Sequence, residues 1–296
     1  MRTIRIGTRG SALALAQTEM VRSALRDAAP QAATEIITVR TTGDILADAP
    51  LDAIGGKGVF VKDIECRLLE NRIDMAVHSL KDMQAILPES LSIGAFLPRE
   101  DPRDMLFSCG GHSLDSLPPG SRIGTSSMRR RCQLRQVRPD LVVVDIRGNV
   151  TTRLGKVGAS VDAVILAAAG VIRLGLPLGI AMDPGTMIPS PGQGIIAVEC
   201  RAQDQEISEI LAALDHAPTR ACAEAERAFL ATLGQDCNLP AGALAEVSGT
   251  EISMAGMLGS TDEACCVRMM LRGLSPSVGR LLARKLQERI HKEEEP

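Results

Sequence analysis

Three short stretches of this chain occur twice, in the same order. Arg5-Ile6-Gly7-Thr8 returns as Arg122-Ile123-Gly124-Thr125, each time opening a helical pattern. Glu35–Val39, with its glycine turn, has a counterpart in Leu141–Val144 followed by Arg147-Gly148-Asn149. Ile73-Asp74-Met75-Ala76-Val77 is echoed by Val161-Asp162-Ala163-Val164-Ile165. Short apolar runs bounded by turn residues read as strands, and their alternation with helical patterns favours an α/β sheet. Ordered self-similarity of this kind predicts two domains of one architecture.

Punctuation supports the division. Pro98-Arg99-Glu100-Asp101-Pro102 lies between the two copies, and Pro189-Ser190-Pro191-Gly192-Gln193-Gly194 precedes a strand over Ile195–Glu199. Two such crossings suit a hinge with a cleft between the domains. After Thr219 the pattern changes to a helix over 220–233. Alternating segments follow near Ala243–Val247, Glu251–Met257 and Val267–Leu271, then a helix from Pro276 to His291. The expected organisation is an α/β domain of residues 1–98 with about 195–215, a second of 99–194, and an α+β domain of 216–296.

Composition narrows the chemistry. Aromatic residues are 1% of 296, with no Trp or Tyr, so the core is aliphatic and no platform for stacking bases is available. None of the eight cysteines forms a CxxC pair and the four histidines are scattered, so no metal is expected. No apolar run reaches membrane-spanning length, and Met1–Ile6 enters a strand without a signal-peptide region, which predicts a cytoplasmic protein. Net charge is −3, yet nine basic residues between Arg122 and Lys156 face only Asp140 and Asp145, a local balance of +7. A basic island on an acidic chain suggests a confined anionic ligand rather than a nucleic-acid surface.

The candidate chemistry centres on His78-Ser79-Leu80-Lys81-Asp82. It follows an apolar strand and so presents Lys81 and Asp82 where open α/β sheets bind ligands. A carboxylate there can hold a proton or steady a developing positive charge. Thr8-Arg9-Gly10-Ser11 turns from strand into helix, leaving backbone N–H groups for an anion. Gly55-Gly56-Lys57-Gly58 reads as a lid or cradle without the spacing of a P-loop. Arg129, Arg130, Arg147 and Arg153 can fork onto carboxylates, with Ser126 and Ser127 at a helix opening. Such a set suits a substrate with several carboxylates.

These motifs resemble the porphobilinogen deaminase (hydroxymethylbilane synthase) family over nearly the whole chain. They are Thr8–Ser11, Gly55–Gly58, Ala76–Asp82, Arg99-Glu100-Asp101-Pro102-Arg103-Asp104, Gly124–Arg130, Arg147-Gly148-Asn149-Val150 and Gly192-Gln193-Gly194. The resemblance implies two domains like type-II periplasmic binding proteins with a cleft between them, plus the third domain. It also implies a dipyrromethane cofactor held by a thioether to Cys237. On that primer four porphobilinogen units are joined, each losing ammonia through an azafulvene-like cation, until hydrolysis releases hydroxymethylbilane.

By the same resemblance, Asp82 is the catalytic group. Lys81, Thr125, Ser126, Ser127, Arg129, Arg130, Arg147 and Gly148 join it around the cofactor, while Arg9, Ser11, Lys57, Phe60, Asn149, Arg153 and Gln193 bind substrate. The chain departs from the family pattern at Gln235-Asp236 before the cofactor Cys, at Ala53, and at Met83-Gln84 after the Asp. The expected protein is a monomeric enzyme of tetrapyrrole biosynthesis acting on a small molecule, without nucleic-acid or membrane partners. Two rivals remain: a non-catalytic two-domain binding protein for a polycarboxylate, and an RNA-binding protein using the basic island.

Overall fold

The computed structural model describes residues 3–41, 61–234 and 239–294. The chain divides into two compact units, Met1–Glu100 with Ile195–Ala223 and Asp101–Gly194 with Glu224–Pro296. The first begins with β1 (Ile4–Arg9), α1 (Ala12–Ala28), β2 (Thr34–Val39), α2 (Lys62–Leu69), β3 (Met75–Ser79) and β4 (Leu91–Phe96). The second holds β5 (Asp104–Ser108), β6 (Arg122–Gly124), α3 (Met128–Val137), β7 (Val142–Val144), α4 (Val150–Leu154), β8 (Ala163–Ala167), α5 (Ala168–Arg173) and β9 (Ile180–Ala181). The chain then returns through β10 (Ile196–Arg201), α6 (Gln205–Ala212) and α7 (Ala217–Thr232). Last come β11 (Ala241–Ser248), β12 (Glu251–Gly259), β13 (Cys266–Gly273) and α8 (Ser277–Glu294).

The two α/β sheets share one plan. Their strand orders are β2-β1-β3-β10-β4 and β7-β6-β8-β5-β9. In each, three parallel strands are followed by an antiparallel pairing, β10 on β3 and β5 on β8. Each antiparallel strand is the first after a crossing. The repeated sequences occupy matching places, down to the acids that bond their neighbouring strands, Asp74 buried and Asp162 exposed. Arg5 N donates to Asp74 Oδ2 at 2.8 Å, and Arg122 N donates to Asp162 Oδ2 at 2.6 Å. Both acids return an N–H to the same arginine's carbonyl.

Burial explains why these stretches are apolar throughout. Met75 and Val77 of β3 pack with Ile4, Ile6, Val21 and Leu25, while Ala76 meets Ile64 and Leu68 of α2 from the other face. A strand covered on both faces gives a continuous apolar run. The second unit repeats this with Ala163 and Ile165 toward one cluster and Val164 and Leu166 toward another.

The third sheet is an antiparallel meander, β11-β12-β13, packed against α8. Gly279 brings α8 against α7: a Cβ added there would lie 1.9 Å from the Ala225 carbonyl oxygen. Backbone cannot yield as a side-chain tip can, so Gly279→Ala is expected to cost about 1–3 kcal/mol or more. A lowered urea midpoint checks this; an unchanged midpoint contradicts the close helix contact. No helix among the described residues is long and apolar enough to cross a membrane.

Candidate functional site

In the first unit, β3 runs through His78 and Ser79 and ends in a 3-10 turn, Leu80–Asp82. Leu80 buries its side chain and donates its N–H to the Ile195 carbonyl at 3.0 Å, so the returning chain pins the turn. Lys81 and Asp82 are left half-buried at its outer end. A pocket beside it is lined by Arg9, Ser11, Ala14, Gln17, His78, Ser79 and Asp82, among others. Ser11 caps α1, its Oγ accepting from Ala14 N at 3.2 Å. Gln17 Nε2 donates to Ser79 Oγ at 2.9 Å across the pocket floor. The Asp82 carboxylate makes no hydrogen bond or ion pair to the described residues.

The internal repeat supplies a comparison. An offset of 88 residues carries β3 onto β8, and it carries Lys81-Asp82 onto Ala169-Gly170. The fold therefore tolerates an uncharged turn at this place. The charged pair belongs to the first unit alone.

In the second unit, two turns are tied together at one end of the sheet. Ser126 Oγ donates to the Ile146 carbonyl at 2.7 Å and accepts from Ile146 N at 3.2 Å. Buried Thr125 accepts from Ser127 N through Oγ1 at 3.2 Å, ahead of α3. Gly148 adopts φ +112°, which a side chain rarely does, and an added Cβ would meet Thr152 Cγ2 at 2.6 Å. Asn149 caps α4 by accepting from Thr152 N at 2.8 Å, and Arg153 Nε donates to the Gly148 carbonyl at 2.8 Å. Arg147 is half-buried and makes no hydrogen bond or ion pair to the described residues. Hydroxyls, a helix opening and a guanidinium thus share one edge, a donor set that fits carboxylates.

Arg129, Arg130 and Gln193 converge elsewhere, on buried Asp104. Arg129 Nη2 lies 2.8 Å from Asp104 Oδ2, and Arg130 Nη2 2.7 Å from Oδ1. Gln193 Nε2 adds a bond to Oδ1 at 2.9 Å. The remaining terminal nitrogens donate to the Ile188 and Ile165 carbonyls. Burial would raise the Asp104 carboxyl, but the facing guanidiniums overcome it and hold it well below the usual carboxylate range. Both arginines are therefore buried and acid-paired, not displayed on a surface.

This corrects the expectation that the basic island lacks acidic partners. Besides Asp104, Glu263 arrives from the β12–β13 loop, 2.7 Å from Arg131 Nε and 3.0 Å from Arg135 Nη2. Asp145 pairs with Arg131 and Asp140 with Arg138. Counting neighbours in sequence could not find Asp104 or Glu263. Among the described residues of the island, the side chains of Arg122, Arg147 and Lys156 make no ion pair.

Lys57, Phe60 and Cys237, with the Gly55–Gly58 segment, lie outside the described residues. None of the seven described cysteines forms a disulfide, and no group of His, Cys, Asp and Glu among the described residues could hold a metal. Sequence reading missed Gln17. Its signal was a polar residue three after Ala14 and six after Ser11, on the inward stripe of a helix whose other buried members are Thr18, Val21 and Leu25. It also missed Glu65 and Glu199, and it carried Asp104 in a family motif without a role; all three bond or face their partners across long sequence separations.

Comparison with known proteins agrees with this arrangement. Residues 4–209 match the family model for the porphobilinogen deaminase dipyrromethane cofactor binding domain, and residues 220–288 match that for the C-terminal domain. A porphobilinogen deaminase of Roseiflexus sp. is 50% identical over 274 residues, 92% of this chain and 90% of that protein. One of Alkaliphilus metalliredigens is 47% identical, over 92% and 87%. One of Syntrophus aciditrophicus is 46% identical, over 91% and 89%. Among solved structures, the methionine-binding protein MetQ is similar over 76% of this chain and 94% of its own, at 15% identity and a TM-score of 0.46. With two family models spanning most of its length and relatives near one-half identity, the chain belongs to the porphobilinogen deaminase family.

Proposed function

We propose that the chain is a hydroxymethylbilane synthase that joins four porphobilinogen units, with Asp82 as its catalytic group. The observation that carries this reading is the Asp82 carboxylate itself. It lines a pocket, has no partner among the described residues, and stands where the twin unit has Gly170. An anion held in a partly dry pocket stabilises positive charge on a bound pyrrole and can take a proton from it. Lys81, next in the chain, would pair with a substrate carboxylate.

Arg9, Ser11 and Gln17 would orient the substrate's acetate and propionate groups from the opposite wall. In the second unit, Thr125, Ser126, Ser127, Arg147, Gly148, Asn149 and Arg153 would hold further carboxylates as the product grows. Arg129, Arg130 and Gln193 would act from their Asp104-bound positions. Lys57 and Phe60 complete the proposed substrate set. Dipyrromethane, when attached, supplies the pyrrole carbon that makes the first new bond. We assign its attachment to the Cys237 thiol, and we treat 216–296 as a third functional module that carries it. The same reading makes the protein a cytoplasmic monomer.

Cys237→Ala tests the attachment and excludes the binding-protein rival. Intact mass spectrometry of the parent is expected to show a two-pyrrole adduct that maps to position 237, absent from the variant. A bare parent chain that cannot acquire the adduct from porphobilinogen would overturn the assignment. So would an adduct on another thiol.

A further inference from the structure

Behind the pocket wall, β3, β10 and α2 enclose three titratable side chains that the chemistry above does not use. Glu65, His78 and Glu199 are 7%, 6% and 0% exposed. His78 Nε2 lies 3.1 Å from Glu199 Oε2. Glu65 Oε1 and Glu199 Oε1 are buried with no hydrogen-bond partner among the described residues. Burial first, and the charge of Glu199 second, push the Glu65 carboxyl up, opposed by His78 and Lys62. Two desolvated carboxylates beside one imidazole are cheapest when protons are shared inside the group.

The twin unit shows that the fold does not need this cluster. The 88-residue offset places Leu166 at the position of His78. Glu199 stands opposite Ala76, and Phe107 stands opposite Val164, the counterpart of Ala76. Where one sheet has His and Glu, the other has Leu and Phe. Apolar replacement of a buried ionic group is often neutral or stabilising, so stability alone gives no reason for the polar version. His78 also lines the pocket that holds Asp82, which gives the cluster an outlet. The charged groups around the imidazole are Glu199 on β10, Glu65 and Lys62 on α2, Arg9 on β1, and Lys81 and Asp82 on the turn.

We propose that Glu65, Glu199 and His78 form a proton store behind Asp82, with His78 as its outlet; the inference rests on the function proposed above. In each cycle the buried group, through Asp82, delivers a proton to the aminomethyl nitrogen of porphobilinogen, and the C–N bond breaks with its electron pair leaving on nitrogen as ammonia. A C–C bond forms, and the pyrrole carbon that made it gives up its proton to restore the ring. That proton passes to Asp82 and on to the buried group, which is thereby reloaded for the next C–N cleavage. No electron changes hands with an outside reagent. The three side chains reach substrate through Asp82 and are positioning residues.

The test compares the parent with Glu65→Gln and His78→Gln, measuring adduct mass, KM and kcat from pH 6 to 9, and the histidine ring titration by NMR. Gln copies the shape of a protonated Glu but can neither take up nor release a proton. Glu65→Gln is expected to keep the adduct and KM, lower kcat about tenfold, and alter the pH–rate profile and the His78 ring titration. His78→Gln should likewise keep the adduct and lower kcat about tenfold. If His78→Gln does not fold, Glu65→Gln and the NMR titration decide alone. A kcat and pH profile within about twofold of the parent, or a His78 titration unmoved by Glu65→Gln, overturns the proton store. A parent without adduct or turnover overturns the functional reading instead.

Discussion

Asp82→Asn is expected to lower kcat about 100- to 1000-fold, the scale seen when one preorganised charge-stabilising group is removed. The substitution keeps the shape of the side chain and removes its charge and its ability to accept a proton. The 3-10 turn is fixed by Leu80 and the Ile195 carbonyl, not by the Asp82 side chain, so the fold should persist. The covalent adduct should also persist, because its attachment site is elsewhere. Purified variant with parental mass and parental urea midpoint but collapsed kcat is the supporting outcome. A rate within about threefold of the parent would remove Asp82 from the mechanism.

The second large effect is on stability. Asp104→Asn leaves two buried guanidiniums facing a neutral amide, and breaking a buried pair in this way costs about 3–5 kcal/mol. Arg129 and Arg130 are each within 2.8 Å of that carboxylate, so both are affected. The pH dependence follows from the lowered carboxyl. Its stabilisation is complete above the unfolded value of 3.8 and is lost as pH falls below it toward the folded value. Denaturation midpoints should therefore separate parent from variant widely at pH 7 and less at pH 3. A gap that is equally wide at both pH values would mean that charge is not what Asp104 contributes.

Much of the architecture was legible because the duplication left its strands nearly unchanged. Arg5–Thr8 and Arg122–Thr125 occupy equivalent strands, and Asp74 and Asp162 make the same backbone bond. Asp82 was legible as a charged residue at the turn after an apolar strand, and the pocket that it lines could be seen only in the fold. The basic island was misjudged for the opposite reason. Asp104 meets Arg129 across 25 residues and Glu199 meets His78 across 121, separations at which local charge counting carries no information. Gln17 was hidden differently. Its face could be read from helical spacing, but its partner Ser79 is 62 residues away.

The interleaving of the two sheets has a consequence for biosynthesis. All five strands of the second sheet lie between Asp104 and Ala181, whereas the first sheet needs β10, an interior strand ending at Arg201. A ribosome therefore releases the complete later sheet before the earlier one can close. Until then β3 and β4 present unpaired edges, the kind of surface that invites aggregation. Maturation runs against the direction of translation, and a nascent chain halted near residue 190 would expose its amino-terminal half to chaperones.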